Sequence, residues 1–150
     1  MDVTKPAQAT IVSLQYCPGY RKPMTVVEEI EFFANLGMNN DAHARANSER
    51  QVLMIEEETL KALKLQPGAV KENITTSGIE LMKLASGTRL QAGKDVVVEI
   101  TKPCSLCSRM EEIRPGLLNE LAGRRGMLAK VIAGGVVRQG DLIQIVERKP

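Results

Sequence analysis

The run Thr88-Arg89-Leu90-Gln91-Ala92-Gly93-Lys94-Asp95-Val96-Val97-Val98-Glu99-Ile100-Thr101 decides the fold class. Two short stretches, Thr88–Gln91 and Val96–Thr101, lie on either side of a turn signal at Gly93. Val96, Val97 and Val98 follow one another without a polar break, the pattern of a strand covered on both faces. The same kind of unit recurs outward along the chain. Ala9–Gln15, Gln51–Ile55, Met127–Ile132 and Leu142–Val146 also read as strands, the last with a similar apolar density. Pro18-Gly19, Pro67-Gly68, Ser77-Gly78, Ser86-Gly87, Pro115-Gly116, Gly134-Gly135 and Gly140-Asp141 punctuate the chain between them. Short strands at spacings of about ten residues, joined by turns, predict a mainly β chain in a closed or nearly closed barrel.

Helix is expected only in short pieces. Glu56–Leu65 places Leu60, Leu63 and Leu65 behind Glu56, Glu57 and Glu58, acids that suit the positive end of a helix dipole. Pro115–Ala122 has Pro at the first helical position and Gly123 just beyond the end, with Leu117, Leu118 and Leu121 on one face. Val26–Leu36 fits an amphipathic helix or a strand. No repeat or linker divides the chain, so one domain over 9–150 follows a loose tail at 1–8.

Composition narrows the function classes. A chain of 150 residues buries roughly 70% of its unfolded surface and folds without disulfides or metal. Apolar residues make up 43% and charged residues 25%, which excludes a disordered chain. No apolar run approaches the roughly 20 residues of a membrane span, and MDVTKPAQAT carries no secretory pattern, so a cytoplasmic protein is expected. Lys and Arg total 20 against 18 acids, and aromatics are 3%, which argues against a nucleic-acid partner. The excess positive charge sits in residues 101–150, with nine cations against five acids, making the last third the place to seek an anion site.

The most chemical motif is Cys104-Ser105-Leu106-Cys107; Cys17 is the remaining cysteine. A zinc site would need a second ligand pair that the chain lacks. A thioredoxin-like pair would open a helix in a βαβ unit, whereas the surroundings read as β. A buried, inert pair is the ordinary fate of free cysteines. The remaining reading is a reactive thiol, since Lys102, Arg109 and Arg114 lie near and positive charge favours the thiolate. Glu72-Asn73-Ile74-Thr75-Thr76-Ser77-Gly78 reads as a hydrogen-bonded polar loop, as does Asn39-Asn40-Asp41-Ala42-His43.

Taken in order, these motifs resemble one family. Gly37-x-x-x-Asp41-x-His43, Arg50-Gln51-Val52, Pro67-Gly68, Glu72-Asn73-Ile74-Thr75, Gly87-Thr88-Arg89-Leu90, Pro103, Cys107-Ser108-Arg109-Met110, Arg114-Pro115-Gly116-Leu117, Arg125-Gly126-Met127, Gly134-Gly135 and Gly140-Asp141 together look like a MOSC domain over roughly 9–147. Such domains form the C-terminus of molybdenum cofactor sulfurases and also occur as small stand-alone proteins. Asn40 replaces a glycine common in the family, a position where Asn tolerates positive φ.

The resemblance implies a twisted β-barrel and an association with the molybdenum cofactor, molybdopterin. By spacing before Arg114, Cys107 matches the family cysteine, a molybdenum ligand or a persulfide-bearing sulfur carrier, and Cys104 is an extra thiol. Arg109, Arg114, Arg124 and Arg125 are the expected contacts to an anionic cofactor, with Arg50, Glu72, Asn73 and Thr75 shaping the pocket. Reduction of N-hydroxylated compounds is an activity of other members. No aminotransferase-like domain with which to abstract sulfur is expected in these 150 residues. A sulfur donor or an electron-transfer protein is the implied partner. The rival expectations are a cofactor-free sulfur-carrier module and a binding barrel with no chemistry at Cys107.

Overall fold

The computed structural model describes residues 8–147, so all but one residue of the expected 1–8 tail lies outside it. In chain order the elements are β1 (Thr10–Tyr16), β2 (Thr25–Val27), β3 (Glu29–Phe33), β4 (Gly37–Met38), β5 (Val52–Glu56), α1 (Glu57–Ala62), β6 (Ile74–Ser77), β7 (Arg89–Ala92), β8 (Val96–Pro103), α2 (Met110–Ile113), α3 (Leu117–Glu120), β9 (Met127–Ala133), β10 (Gly135–Arg138) and β11 (Ile143–Glu147). A single 3₁₀ turn covers Leu81–Lys83. The chain is mainly β with a few short helices, as expected. The ambiguous stretch 26–36 resolves into the end of β2 and the strand β3.

Eight strands form one sheet in the order β11-β7-β8-β9-β5-β6-β1-β2, and β10-β3-β4 form a second. Pairing is antiparallel except between β5 and β6, whose connection runs through α1. Near its two ends the large sheet curls until they touch. An isolated bridge joins Thr10 to Leu142, Ile11 N–H donates to Asp141 O at 2.8 Å, and Gly140 N–H donates to Ile11 O at 2.7 Å. No ladder runs between β11 and β1, so of the closed or nearly closed barrel expected, closure is not formed.

Three local expectations are corrected. Val96–Val98 is not covered on both faces: Val96 and Val98 are fully buried and Val97 only partly, the alternation of an antiparallel strand with one core face. Leu142 and Val146 are likewise exposed beside buried Ile143. The polar run 72–78 is not simply a loop, because Ile74–Ser77 pairs with both β1 and β5. Its threonines are β-branched, and Thr75 satisfies its hydroxyl locally on Glu72 at 2.8 Å. The helix expected at Pro115–Ala122 shortens to α3, because Gly116 is left-handed at φ 88°. Glu111 caps that helix, its carboxylate accepting Gly116 N–H at 2.9 Å and Leu118 N–H at 2.8 Å. Those bonds hold the Glu111 carboxyl below its ordinary range.

Two apolar clusters hold the elements. The larger lies against the sheets and includes Ile11, Leu14, Phe32, Met54, Ile74, Leu90, Val98 and Ile100. The smaller joins Ile55 of β5 and Leu60 of α1 to Met110 of α2, Leu117 of α3 and Leu121. Each such side chain contributes roughly 1.5–3 kcal/mol by leaving water. The smaller cluster fixes the site, because it anchors the segment after Cys107 against β5.

Candidate functional site

A concave pocket of about 430 Å³ opens where the turn after β1, the approach to β6, the end of β8, α2 and the start of β9 converge. Its wall includes Cys104, Cys107, Arg109, Arg50, Asn73 and Arg125, residues separated by up to 75 positions in sequence (125 − 50). Tyr20, Arg21, Lys22, His43, Lys71 and Glu112 complete its polar rim. The structure thus brings Cys107 together with Arg50, Asn73, Arg109 and Arg125. It does not bring Glu72, Thr75, Arg114 or Arg124 to the wall.

The charge is one-sided. Arg21, Lys22, Arg50, Lys71, Arg109 and Arg125 face a single carboxylate, Glu112. Glu112 is already engaged, 2.9 Å from Arg21 and 4.0 Å from Arg109. Arg109 also lies over the exposed Tyr20 ring, 4.8 Å from its centroid. Hydrogen bonding from Arg21 and the positive charges around it hold the Tyr20 hydroxyl below its ordinary range. Lys71 Nζ donates to Lys22 O at 2.9 Å and ties two sides of the rim. Arg21 and Lys71 both sit at left-handed φ, 58° and 69°, where a side chain other than Gly or Asn is uncommon.

Arg125 is the most informative of these cations. It is only 6% exposed, and its Nε and one terminal nitrogen, Nη1, are buried with no hydrogen-bond partner among the described residues. A guanidinium cannot shed its charge, so burying it without an anion is costly. The backbone leaves it little choice of position. Gly126 takes φ 113°, and a Cβ there would stand 2.6 Å from Met54 O. Gly126 O also accepts Cys104 N–H at 2.9 Å, linking the arginine directly to the cysteine segment.

The cysteines are free and partly buried, and both line the pocket. Cys104, the extra thiol, thus shares the pocket wall with Cys107. Cys17 is buried elsewhere, its Sγ donating to Gly19 O at 3.3 Å. Among the described residues no group of three or more His, Cys, Asp or Glu is placed to hold a metal ion.

The Glu72–Thr75 run builds the pocket's support. Glu72 is fully buried; its Oε2 accepts Gly68 N–H at 2.7 Å and the Thr75 hydroxyl at 2.8 Å. Burial pushes its carboxyl above the ordinary range. Asn73 accepts Leu53 N–H at 3.0 Å and donates to Gln15 O at 3.2 Å, stitching β5 to β1. Gln15 in turn donates to Glu72 O at 3.0 Å and receives the Ser13 hydroxyl. Arg114 clips the helical layer instead: it donates to Leu63 O at 2.7 Å and to Glu120 at 3.0 Å. Arg124 donates to Glu120 O at 2.8 Å.

The charge count points to the last third, yet Arg21, Lys22, Arg50 and Lys71 of the pocket come from the first half. Their signal was faint but present: a Tyr-Arg-Lys run straight after the Pro18-Gly19 turn, and a Lys beside Glu72.

The site is a thiol-bearing pocket lined by cations on a mainly β fold. The MOSC domain model matches residues 36–144, and the chain belongs to the MOSC domain family. Solved structures share the fold. The YUAD protein from Bacillus subtilis is 15% identical, covers 97% of this chain and 99% of its own, and has a TM-score of 0.76. YiiM from Geobacillus stearothermophilus is 20% identical, with 93% and 75% covered and a TM-score of 0.74. YiiM from Escherichia coli is 19% identical, with 96% and 72% covered and a TM-score of 0.69. No curated protein matches the sequence. No helix among the described residues is long and apolar enough to cross a membrane.

Proposed function

We propose that this MOSC protein binds the molybdenum cofactor in the pocket, with Cys107 as the thiolate that meets the metal. The observation that carries the reading is Arg125, a buried guanidinium with unpaired nitrogens on the same wall as Cys107. Such a group calls for an anion, and molybdopterin is anionic through its phosphate. Arg125 and the rim cations Arg50, Arg109, Lys71 and Lys22 would hold the anionic part. A soft thiolate suits a metal centre already rich in sulfur. When bound, the cofactor would supply two-electron chemistry, such as reduction of an N-hydroxylated compound, with a cytoplasmic electron-transfer protein as partner.

A second reading is favoured by one specific feature: Cys104 shares the pocket with Cys107. Two thiols at one mouth suit a cofactor-free sulfur carrier that takes persulfide sulfur from a donor protein and passes it on. Elemental analysis separates the two. Protein purified from a host that makes the cofactor should hold molybdenum, and Cys107→Ser should lose it. Metal-free wild-type protein from that host would overturn the first reading.

A further inference from the structure

Glu112 is the one carboxylate among the described lining residues of the pocket, and it is set against cations. Its Oε1 lies 2.9 Å from Arg21 Nη1, and its Oε2 lies 4.0 Å from Arg109 Nε. Both guanidinium groups also approach the Tyr20 ring, Arg21 at 5.6 Å and Arg109 at 4.8 Å from its centroid. Arg21 Nε donates to the Tyr20 hydroxyl oxygen at 3.4 Å, and the hydroxyl keeps its own proton to donate. Two like charges from distant parts of the chain thus converge on one point of the rim. Such convergence is repulsive unless an anion sits between them, and here Glu112 is that anion. Arg21 is kept there at left-handed φ 58°, a backbone state that Gly or Asn fills at less cost. The bond to Glu112 is easily given up. The Arg21 and Glu112 side chains are 55% and 56% exposed, and an exposed ion pair is worth little. The helix that carries Glu112 is only four residues long.

We propose that Arg21, Arg109 and the Tyr20 hydroxyl form an outer subsite for a phosphate monoester carried by the substrate, and that the Glu112 carboxylate stands in for that phosphate until it arrives. Assigning the phosphate to the substrate rests on the function proposed above, in which buried Arg125 meets the anionic part of the cofactor. The phosphate monoester follows from the nature of the stand-in. Glu112 is tethered beside the cations, so a free carboxylate of equal charge competes poorly with it. A monoester carries nearly two charges and three acceptor oxygens, enough for both guanidinium groups and the hydroxyl. A diester carries one charge and loses that advantage. The exchange is non-covalent: Glu112 leaves Arg21 for water as the phosphate enters.

The test titrates methyl phosphate, with dimethyl phosphate as control, into cofactor-free protein at about pH 8, where the monoester is dianionic. Amide shifts in NMR report the binding. Methyl phosphate should move the amides of Tyr20, Arg21 and Glu112, and dimethyl phosphate should bind at least about tenfold more weakly. Glu112→Gln, at an exposed side chain, should tighten methyl phosphate about fivefold by removing the competitor. Arg21→Gly should weaken it about tenfold, and Gly suits φ 58°, so that loss is not a folding defect. Shifts confined to Arg125 and Gly126, equal binding of the diester, or no tightening in Glu112→Gln would each overturn the proposal. So would methyl phosphate that binds the cofactor-free protein but not the molybdenum-loaded one, because the cofactor would then occupy the subsite. Failure of the molybdenum reading shows separately, as metal-free wild type from a cofactor-competent host.

Discussion

The runs Glu72–Thr75 and Cys104–Arg109 reach the same pocket with opposite kinds of bonding. In the first, Glu72, Asn73 and Thr75 are all buried and hydrogen-bonded to Gly68, Leu53, Gln15 or one another. In the second, both thiols are partly exposed, Leu106 is exposed, and the Cys104 Sγ makes a contact with Ser105 O at 3.7 Å. The contrast extends to the arginines that follow. Arg114 spends its donors on Leu63 O and Glu120, whereas Arg125 is buried with nitrogens unspent. The Glu72–Thr75 run is tied into the fold by several hydrogen bonds, although Glu72 Oε1 is left without a partner among the described residues. The unpaired Arg125 nitrogens, by contrast, belong to a residue of the pocket wall. Substitutions should therefore sort by this difference.

Asn73→Ala should show the largest effect on stability. It strips a buried acceptor from Leu53 N–H and a donor from Gln15 O, at a cost of about 3 kcal/mol in denaturant unfolding. A loss below about 1 kcal/mol would break the claim that this run is the pocket's frame. The two arginines come next. Arg114→Ala should cost about 1–2 kcal/mol, from a strong bond to Leu63 O lost at a partly exposed site. Arg125→Met should leave the cofactor-free protein as stable as the wild type or more so, because it removes a buried charge that lacks a partner. If Arg125→Met destabilises more than Arg114→Ala, the assignment of roles is reversed.

Glu72 sharpens the comparison through pH. Its folded carboxyl sits above the ordinary glutamate value of 4.5. The unfolded chain therefore releases this proton at lower pH than the folded one does. The stability the protonated form contributes is fully present below about pH 4.5 and falls as pH rises through the folded value. Glu72→Gln removes that titration. The stability of wild type relative to Glu72→Gln should decline on going from pH 4 to pH 7, as followed by urea unfolding. A difference that stays flat with pH would contradict a buried, elevated Glu72.

The thiols should have the smallest effect on folding. Cys104→Ser and Cys107→Ser should each shift stability by under about 0.5 kcal/mol. They should differ in loading, which Cys107→Ser abolishes and Cys104→Ser weakens modestly. Equal losses in both would mean that the two thiols act as a unit.

The strands were legible because Val, Ile and Leu cluster between Gly and Pro turns, and periodicity reports burial directly. Strand β6 was hidden because its threonines look like loop residues until a parallel partner at β5 gives their backbone somewhere to bond. One wall of the pocket was legible in Cys107, Arg109 and Arg125, whose spacing matches the family pattern. Arg21, Lys22 and Lys71 were not, since no local rule says that a turn after β1 folds over β9. Arg114 was misplaced for the opposite reason: its motif is genuine, but its guanidinium closes the helical layer on Leu63 O. Barrel closure depended on a ladder between strands at opposite ends of the sequence, and one bridge at Thr10 and Leu142 stands where that ladder would be.

On the proposed function, the buried, unpaired Arg125 nitrogens await an anion that arrives with the metal. The most direct test of this is the molybdenum content of wild type and Arg125→Met purified side by side from a cofactor-competent host, with unfolding curves for both. The account predicts about one molybdenum per wild-type chain and a loss of at least about tenfold in Arg125→Met, which remains folded. Equal molybdenum in the two proteins would contradict it.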